Sequence, residues 1–121
     1  MGRHVTVAEK QRLFGRLLPR LLDKAQELHP GGVVVGEVER SNAAAKWNAE
    51  HGKGISNSLH LIRLAVDIHL FDDVDEEWHY LPTNESHRTL GEWWEQQHEL
   101  CRWGGRFGDG NHYSLEHEGV K

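Results

Sequence analysis

An apolar run, SNSLHLIRLAVDIHLF at residues 56–71, most constrains what this chain can fold into. The part LAVDIHLF is predicted to be a β-strand because it is dense in apolar and β-branched residues. Two potential metal ligands, His60 and Asp67, interrupt the run seven positions apart. On one straight strand they would lie on opposite faces about 23 Å apart, and on a helix about 10 Å apart along the axis. They can bind the same metal ion only if the chain folds back between them at residues 61–63. His60 would then lie just before the strand and Asp67 within it.

Two amphipathic helices are predicted, one before and one after this strand. Residues 6–28 open with the capping-box pattern TVAE and carry apolar residues on one helical face. Pro19 is expected to kink this helix or to divide it into two short ones, because proline lacks an N–H. The second helix is predicted from residues 84–86 to Cys101, whose thiol falls in the apolar stripe as a small buried hydrophobe.

Short strands and turns account for most of the remaining chain. VVVGEVE at 33–39 is predicted as a buried strand, followed by a short helix capped by Ser41 and a glycine-rich loop. WHYL at 78–81 is predicted to return as the hairpin partner of the central strand, and HYSLEH at 112–117 to form a final strand. Alternating helices and hairpin-like strands predict an α+β fold, a small antiparallel sheet with flanking helices.

Length and charge limit the function. The 121 residues suit one catalytic domain over 1–121. The net charge of -5, with no basic stripe, disfavours nucleic acid as a partner and makes a metal-dependent nuclease a weak alternative. No apolar stretch has the length of a signal peptide core or a membrane span, so we expect synthesis in the cytoplasm without membrane insertion.

A second group of polar residues lies in the glycine-rich segment WGGRFGDGNHYSLEH. Asp109 and His112 are three positions apart in a turn whose glycines permit close approach of the backbone to another element. Along the strand that follows, Tyr113 and Leu115 share one face and His112 lies on the other. His117 lies on the apolar side and is therefore a poor candidate ligand.

Together the two groups supply a set of metal ligands. A catalytic zinc takes three N or O ligands and keeps a fourth position open for water, and His60, Asp67 and His112 provide a His₂Asp set. Asp109 then stands beside the metal, where a carboxylate acts as general base on the water. Single His and Asp residues are common on surfaces, so the prediction depends on the constellation.

These residues resemble the motifs of the VanY-type zinc peptidases, the family of D-alanyl-D-alanine carboxypeptidases and phage L-alanyl-D-glutamate endopeptidases. SLHLIRLAVD at 58–67 is similar to that family's S-x-H-x-x-G-x-A-x-D motif. DGNH at 109–112 is similar to its second motif, in which an acidic residue stands three positions before the last zinc ligand. Arg40 and Ser41 stand where the family has an Arg-Ser pair that ends a strand.

The resemblance covers residues 33–117 and implies a fold similar to Hedgehog and the D,D-peptidases, with zinc as the cofactor. It also implies hydrolysis of an amide bond in the peptidoglycan stem peptide, with Arg40 contacting the substrate and the developing oxyanion. Ser58 either hydrogen-bonds substrate or holds its own loop. Two departures, Arg63 in place of the usual Gly and Val-Glu at 38–39 in place of Gly-Tyr, bear on substrate preference.

Three functions stay open at this point. The first is a phage or prophage endolysin that cuts L-alanyl-D-glutamate, which the short chain favours. The second is a D-alanyl-D-alanine carboxypeptidase, and the third is a non-catalytic zinc-binding module of a virion or the cell wall. We expect a monomer that acts on bacterial peptidoglycan, and an endolysin would reach the wall through a holin or by delivery in a virion.

Other polar and aromatic residues are weaker candidates for the site. His69 shares a predicted strand face with Asp67 and is an alternative ligand, although a supporting or solvent-facing position is favoured. Three tryptophans, Trp93, Trp94 and Trp103, either line a sugar-binding groove or belong to the core, which their helical spacing favours. The remaining histidines lack ligand spacing and are expected at the surface: His4, His29, His51, His79, His87 and His98.

Overall fold

The computed structural model describes residues 5–36 and 64–117. The helices in these ranges are α1 (Val7–Leu28) and α2 (Arg88–Glu95), and the strands are β1 (Val33–Val35), β2 (Ala65–Val74), β3 (Glu77–Tyr80), β4 (Cys101–Trp103) and β5 (His112–Leu115). The predicted α+β class, a small antiparallel sheet with flanking helices, is confirmed. The helix predicted after Ser41 and the loop predicted at 52–58 lie outside the described residues.

The long strand β2 is the centre of the sheet. It pairs with β5 along one edge and with β1 along the other, and β4 extends the sheet beyond β5, all antiparallel. The outer half of β2 forms a hairpin with β3, which confirms the predicted partner strand. Asp75 and Glu76 form the turn with positive φ angles of 52° and 65°, the conformation that two-residue hairpin turns require.

Helix α1 covers one face of the sheet as a single helix. Thr6 is its N-cap and accepts a hydrogen bond from the Glu9 N–H at 3.1 Å. Pro19 lies inside the helix, so the alternative of two short helices is wrong. The helix continues because a buried stripe on one face packs against the sheet through Phe14, Leu17, Leu21 and Ala25. No helix of the described ranges combines the length and apolar character of a membrane span.

The core lies between the helices and one face of the sheet. Val66, Ile68 and Leu70 are fully buried on alternate positions of β2, which places Asp67 and His69 on the opposite face. That opposite face is called the site face below. Two of the tryptophans, Trp94 and Trp103, are buried and belong to the core, so the alternative of a sugar-binding groove formed by them is wrong.

Two predicted elements differ from the structure. β1 is an exposed strand and not a buried one, since Val34 and Val35 are 50% and 45% exposed at the sheet edge. The second helix ends at Glu95, before Cys101, which instead pairs with Leu115 in the sheet. Cys101 remains a buried hydrophobe as predicted, and burial raises the pKa of its thiol to about 12, so it is inert.

Candidate metal and catalytic site

Two of the three predicted zinc ligands meet on the site face. Asp67 in β2 and His112 in β5 are directly paired in register, so their side chains project from neighbouring strands to the same side. The Asp67 Oδ1 lies 3.7 Å from the His112 Nδ1, which is too long for a hydrogen bond between them. His112 is buried and Asp67 is partly exposed at the surface of the sheet. The arrangement presents an imidazole nitrogen and a carboxylate oxygen side by side.

The turn before β5 sets the position of His112. The His112 N–H donates to the Asp109 carbonyl oxygen at 3.1 Å, and the Asp109 N–H donates to the Gly104 carbonyl oxygen at 2.8 Å. A Cβ at Gly104 would collide with the Asp109 carbonyl oxygen and lie 2.7 Å from the His112 Cβ. Glycine is therefore required at 104 for this close approach.

Asp109 lies three residues before His112 on the same turn. Asp109 is an exposed residue. The next residue is anchored separately, because the Gly110 N–H donates to the Asn84 Oδ1 at 2.8 Å and the Gly110 carbonyl accepts from the Trp103 indole at 2.7 Å. The backbone on both sides of Asp109 is thus held by hydrogen bonds.

The chain leaving β1 reaches the same site. The Gly36 N–H donates to the Asp67 carbonyl oxygen at 2.7 Å, which brings this end of β1 beside Asp67. His69 lies two residues further along β2, and its Nδ1 is 3.4 Å from the hydroxyl of Tyr80. His69 is therefore a neighbour of Asp67 on the site face and contacts the β2–β3 hairpin.

The remaining predicted site residues, Arg40, Ser58 and His60, lie outside the described residues. Within residues 5–36 and 64–117 no group of three or more His, Cys, Asp or Glu side chains could hold a metal ion. Asp67 and His112 nevertheless fit zinc by their chemistry, since carboxylate oxygen and imidazole nitrogen are ligand types that zinc takes. The third ligand and the substrate-binding residues stay predictions.

Histidines away from the site take other positions. His117 Nδ1 is 3.0 Å from the Lys10 Nζ of α1, on the helix side of the sheet. This position agrees with its interpretation as a poor ligand. His29 Nδ1 is 2.6 Å from the Asp72 Oδ1.

His87 was expected at the surface, and that prediction is wrong. It is 2% exposed and its Nδ1 is 2.7 Å from the Tyr113 hydroxyl, behind the strand that carries His112. Burial, followed by the charges of His29 and His69, lowers the pKa of His87 to about 4. The signal was present in the sequence, because His87 precedes the buried Leu90 and Trp94 at helical spacing.

Comparison with known proteins supports the fold. No family model matches the chain, and no curated protein sequence gives a significant match. Among solved structures, the chain is similar to the crystal structure of the Serratia marcescens L-Ala D-Glu endopeptidase ChiX. The TM-score is 0.66 at 20% sequence identity, over 91% of this chain and 86% of ChiX. At this identity the likeness establishes a shared fold.

Proposed function

We propose that the protein is a zinc-dependent peptidase that hydrolyses the L-alanyl-D-glutamate bond in the stem peptide of bacterial peptidoglycan. The observation that carries this proposal is the register pairing of Asp67 with His112, which presents two zinc-type ligands on adjacent strands. The similarity of the fold to that of an L-Ala D-Glu endopeptidase supports the choice of substrate. The motif resemblance to phage enzymes favours a lytic enzyme of that origin.

Each site residue has a role in this proposal. Asp67 and His112, with His60, would hold the metal, and a bound zinc would polarise a water molecule and the scissile carbonyl. Asp109 would accept a proton from the attacking water and return one to the leaving amine. Arg40 would contact the substrate and stabilise the oxyanion, and Ser58 would contact the substrate.

The exposed position of Asp109 on a tightly held turn suits this role. A general base must reach the attacking water without itself binding the metal, and the backbone that carries the Asp109 carboxylate is held by hydrogen bonds. The hydrogen bonds from Asp109 to Gly104 and from His112 to Asp109 tie base and ligand to one rigid turn. Preorganisation of this kind lowers the cost of reaching the transition state.

The test is digestion of purified peptidoglycan followed by mass spectrometry of the new termini. New amino-terminal glutamate and carboxy-terminal alanine are expected, together with loss of activity in a chelator and recovery with zinc. Release of free D-alanine would instead identify a carboxypeptidase. Binding of zinc and sacculi without any cleavage would identify a non-catalytic module.

A further inference from the structure

The site face continues beyond Asp67 as a row of aromatic side chains. The hairpin register pairs Phe71 with Tyr80 and Asp73 with Trp78. Alternate residues of β2 share one face, and directly paired residues of neighbouring strands project to the same side. Phe71, Trp78 and Tyr80, called the aromatic strip below, therefore lie on the face that carries Asp67.

The aromatic strip is exposed but held in place. Trp78 is 54% exposed and Tyr80 is 47% exposed. The Trp78 ring lies against a glycine pair, since a Cβ at Gly31 or Gly32 would be 3.3 or 3.2 Å from it. Tyr80 leans on Phe71 with ring centroids 5.2 Å apart. Side chains fixed in this way lose little freedom when a ligand binds.

Polar groups and a shallow cavity adjoin the rings. The exposed Asp73 stands beside Trp78 in register, and the His69 Nδ1 lies 3.4 Å from the Tyr80 hydroxyl. A cavity of about 250 Å³ is lined by Gly31, Gly32, Val34, Phe71 and Trp78. A flat ring next to a carboxylate suits a pyranose, because the C–H face of the sugar stacks on the ring and its hydroxyls donate to the carboxylate.

We propose that the aromatic strip binds the glycan strand of peptidoglycan, with an N-acetylated hexosamine stacked on Trp78. This inference rests on the proposed function, which places the stem peptide at Asp67 and His112. Asp67 and Asp73 are about 20 Å apart along β2. That span accommodates the first amino acid of the stem, its link to the sugar and a disaccharide. The enzyme should therefore prefer stem peptides that are still attached to glycan.

The test compares two substrates that carry the same stem peptide, one free and one linked to its disaccharide. The ratio of kcat/KM on the linked substrate to kcat/KM on the free one is measured for each variant. Trp78→Ala is expected to lower this ratio about tenfold, and Trp78→Phe by less, since the ring is kept. Because both rates come from one preparation, loss of folded protein cancels in the ratio.

Val74→Ser is the matched control. Val74 belongs to the same hairpin and is 51% exposed, but it pairs with Glu77 on the opposite face. It should keep the wild-type ratio. An equal fall in Val74→Ser and Trp78→Ala, or no fall in either, would overturn the glycan site and leave the proposed function standing.

Binding is measured separately from catalysis by titrating the protein with glycan strands from which the stem peptides have been removed. The wild type and Val74→Ser should bind, and Trp78→Ala should bind at least about tenfold more weakly. Binding of this kind by a protein that cuts no peptide would refute the proposed function and keep the glycan site. Self-association that Trp78→Ala abolishes, with glycan binding unaffected, would make the strip a contact between copies of the chain.

Discussion

Asp67 and His112 stand opposite each other in the β2–β5 ladder, with the Asp67 Oδ1 3.7 Å from the His112 Nδ1. Both side chains rise from strands that are hydrogen-bonded to each other, so their separation is set by the sheet and not by a flexible loop. Sites built on strands hold their geometry more closely than sites built on loops. The pair therefore supplies two of the three ligands of the proposed zinc site from positions that the sheet fixes.

Removing either member of the pair should release zinc. Each of the variants Asp67→Ala, His112→Ala and His60→Ala leaves only two protein ligands. Loss of a residue that merely supports a ligand lowers metal affinity by up to about 100-fold, so loss of a ligand should lower zinc affinity by more than that. Metal content after dialysis, measured by atomic emission, should be one zinc per chain in the wild type and near zero in the variants. His117→Ala, which alters a histidine beside Lys10, is the control that keeps the metal. Full occupancy in both His112→Ala and His60→Ala would contradict the ligand set.

Asp109→Asn should separate metal binding from catalysis. The amide is nearly isosteric with the carboxylate and removes no predicted ligand, so zinc content should match the wild type. Turnover on peptidoglycan should fall at least about 100-fold, since the general base is lost. Zinc loss would make Asp109 a ligand. Undiminished turnover would move the base to another carboxylate, Glu116 first, although its Oε2 already accepts from the Arg102 Nη2 at 2.9 Å.

Two glycine substitutions should have opposite effects on the free energy of unfolding. Gly104→Ala places a methyl group against the Asp109 carbonyl and the His112 Cβ, and should cost about 1–3 kcal/mol and lower turnover. Gly15→Ala adds a methyl group with nothing within 4 Å inside α1, and should gain about 0.5–1 kcal/mol. Urea unfolding of both variants measures the difference. If Gly104→Ala were as stable and active as the wild type, the tight turn would not be needed.

Acid should destabilise the protein through His87. Its pKa is about 4 in the folded state and 6.5 in the unfolded chain, so the unfolded chain binds the proton first as pH falls. The wild type should lose up to about 3 kcal/mol of unfolding free energy between pH 6.5 and pH 4 from this group. His87→Asn, which offers Tyr113 a polar atom near the position of Nδ1 but does not titrate, should escape that loss.

The difference in unfolding free energy between the wild type and His87→Asn is compared across pH, so that the contributions of other titrating groups cancel. Unfolding free energies of the wild type and His87→Asn are measured in urea at intervals from pH 7 to pH 4. The unfolding free energy of the wild type relative to that of His87→Asn should decrease as the pH falls. Parallel curves would show that His87 titrates alike in the folded and unfolded states.

Local signals in the sequence predicted most of what the fold requires. The central strand follows from the density of β-branched residues, and the hairpin from the turn between two apolar segments. Helix α1 follows from its Thr6 cap and its apolar stripe, and the stripe outweighs Pro19 because tertiary packing stabilises the helix. In the site, the motif resemblance predicts that Asp67 and His112 bind one metal, but it does not predict that they pair directly in the sheet.

The predictions that differ from the structure concern contacts between distant parts of the chain. Cys101 has the spacing of a helical residue, yet it lies in β4 and pairs with Leu115. Sequence periodicity does not show which distant strand a segment will pair with. β1 is as apolar as a buried strand, but its place at the edge leaves Val34 exposed. The position of Trp78 on the site face depends on the hairpin register, which the sequence does not specify.

The pairing of β2 with β5 also has a consequence for folding kinetics. The β2–β3 hairpin joins neighbouring segments and is expected to form early. β5 must be brought to β2 across the segment that contains β3, α2 and β4, at a greater cost in chain entropy. Until that late event, Asp67 has no His112 beside it. Metal capture during refolding should therefore report the last step of sheet assembly, lagging behind the signal from secondary structure.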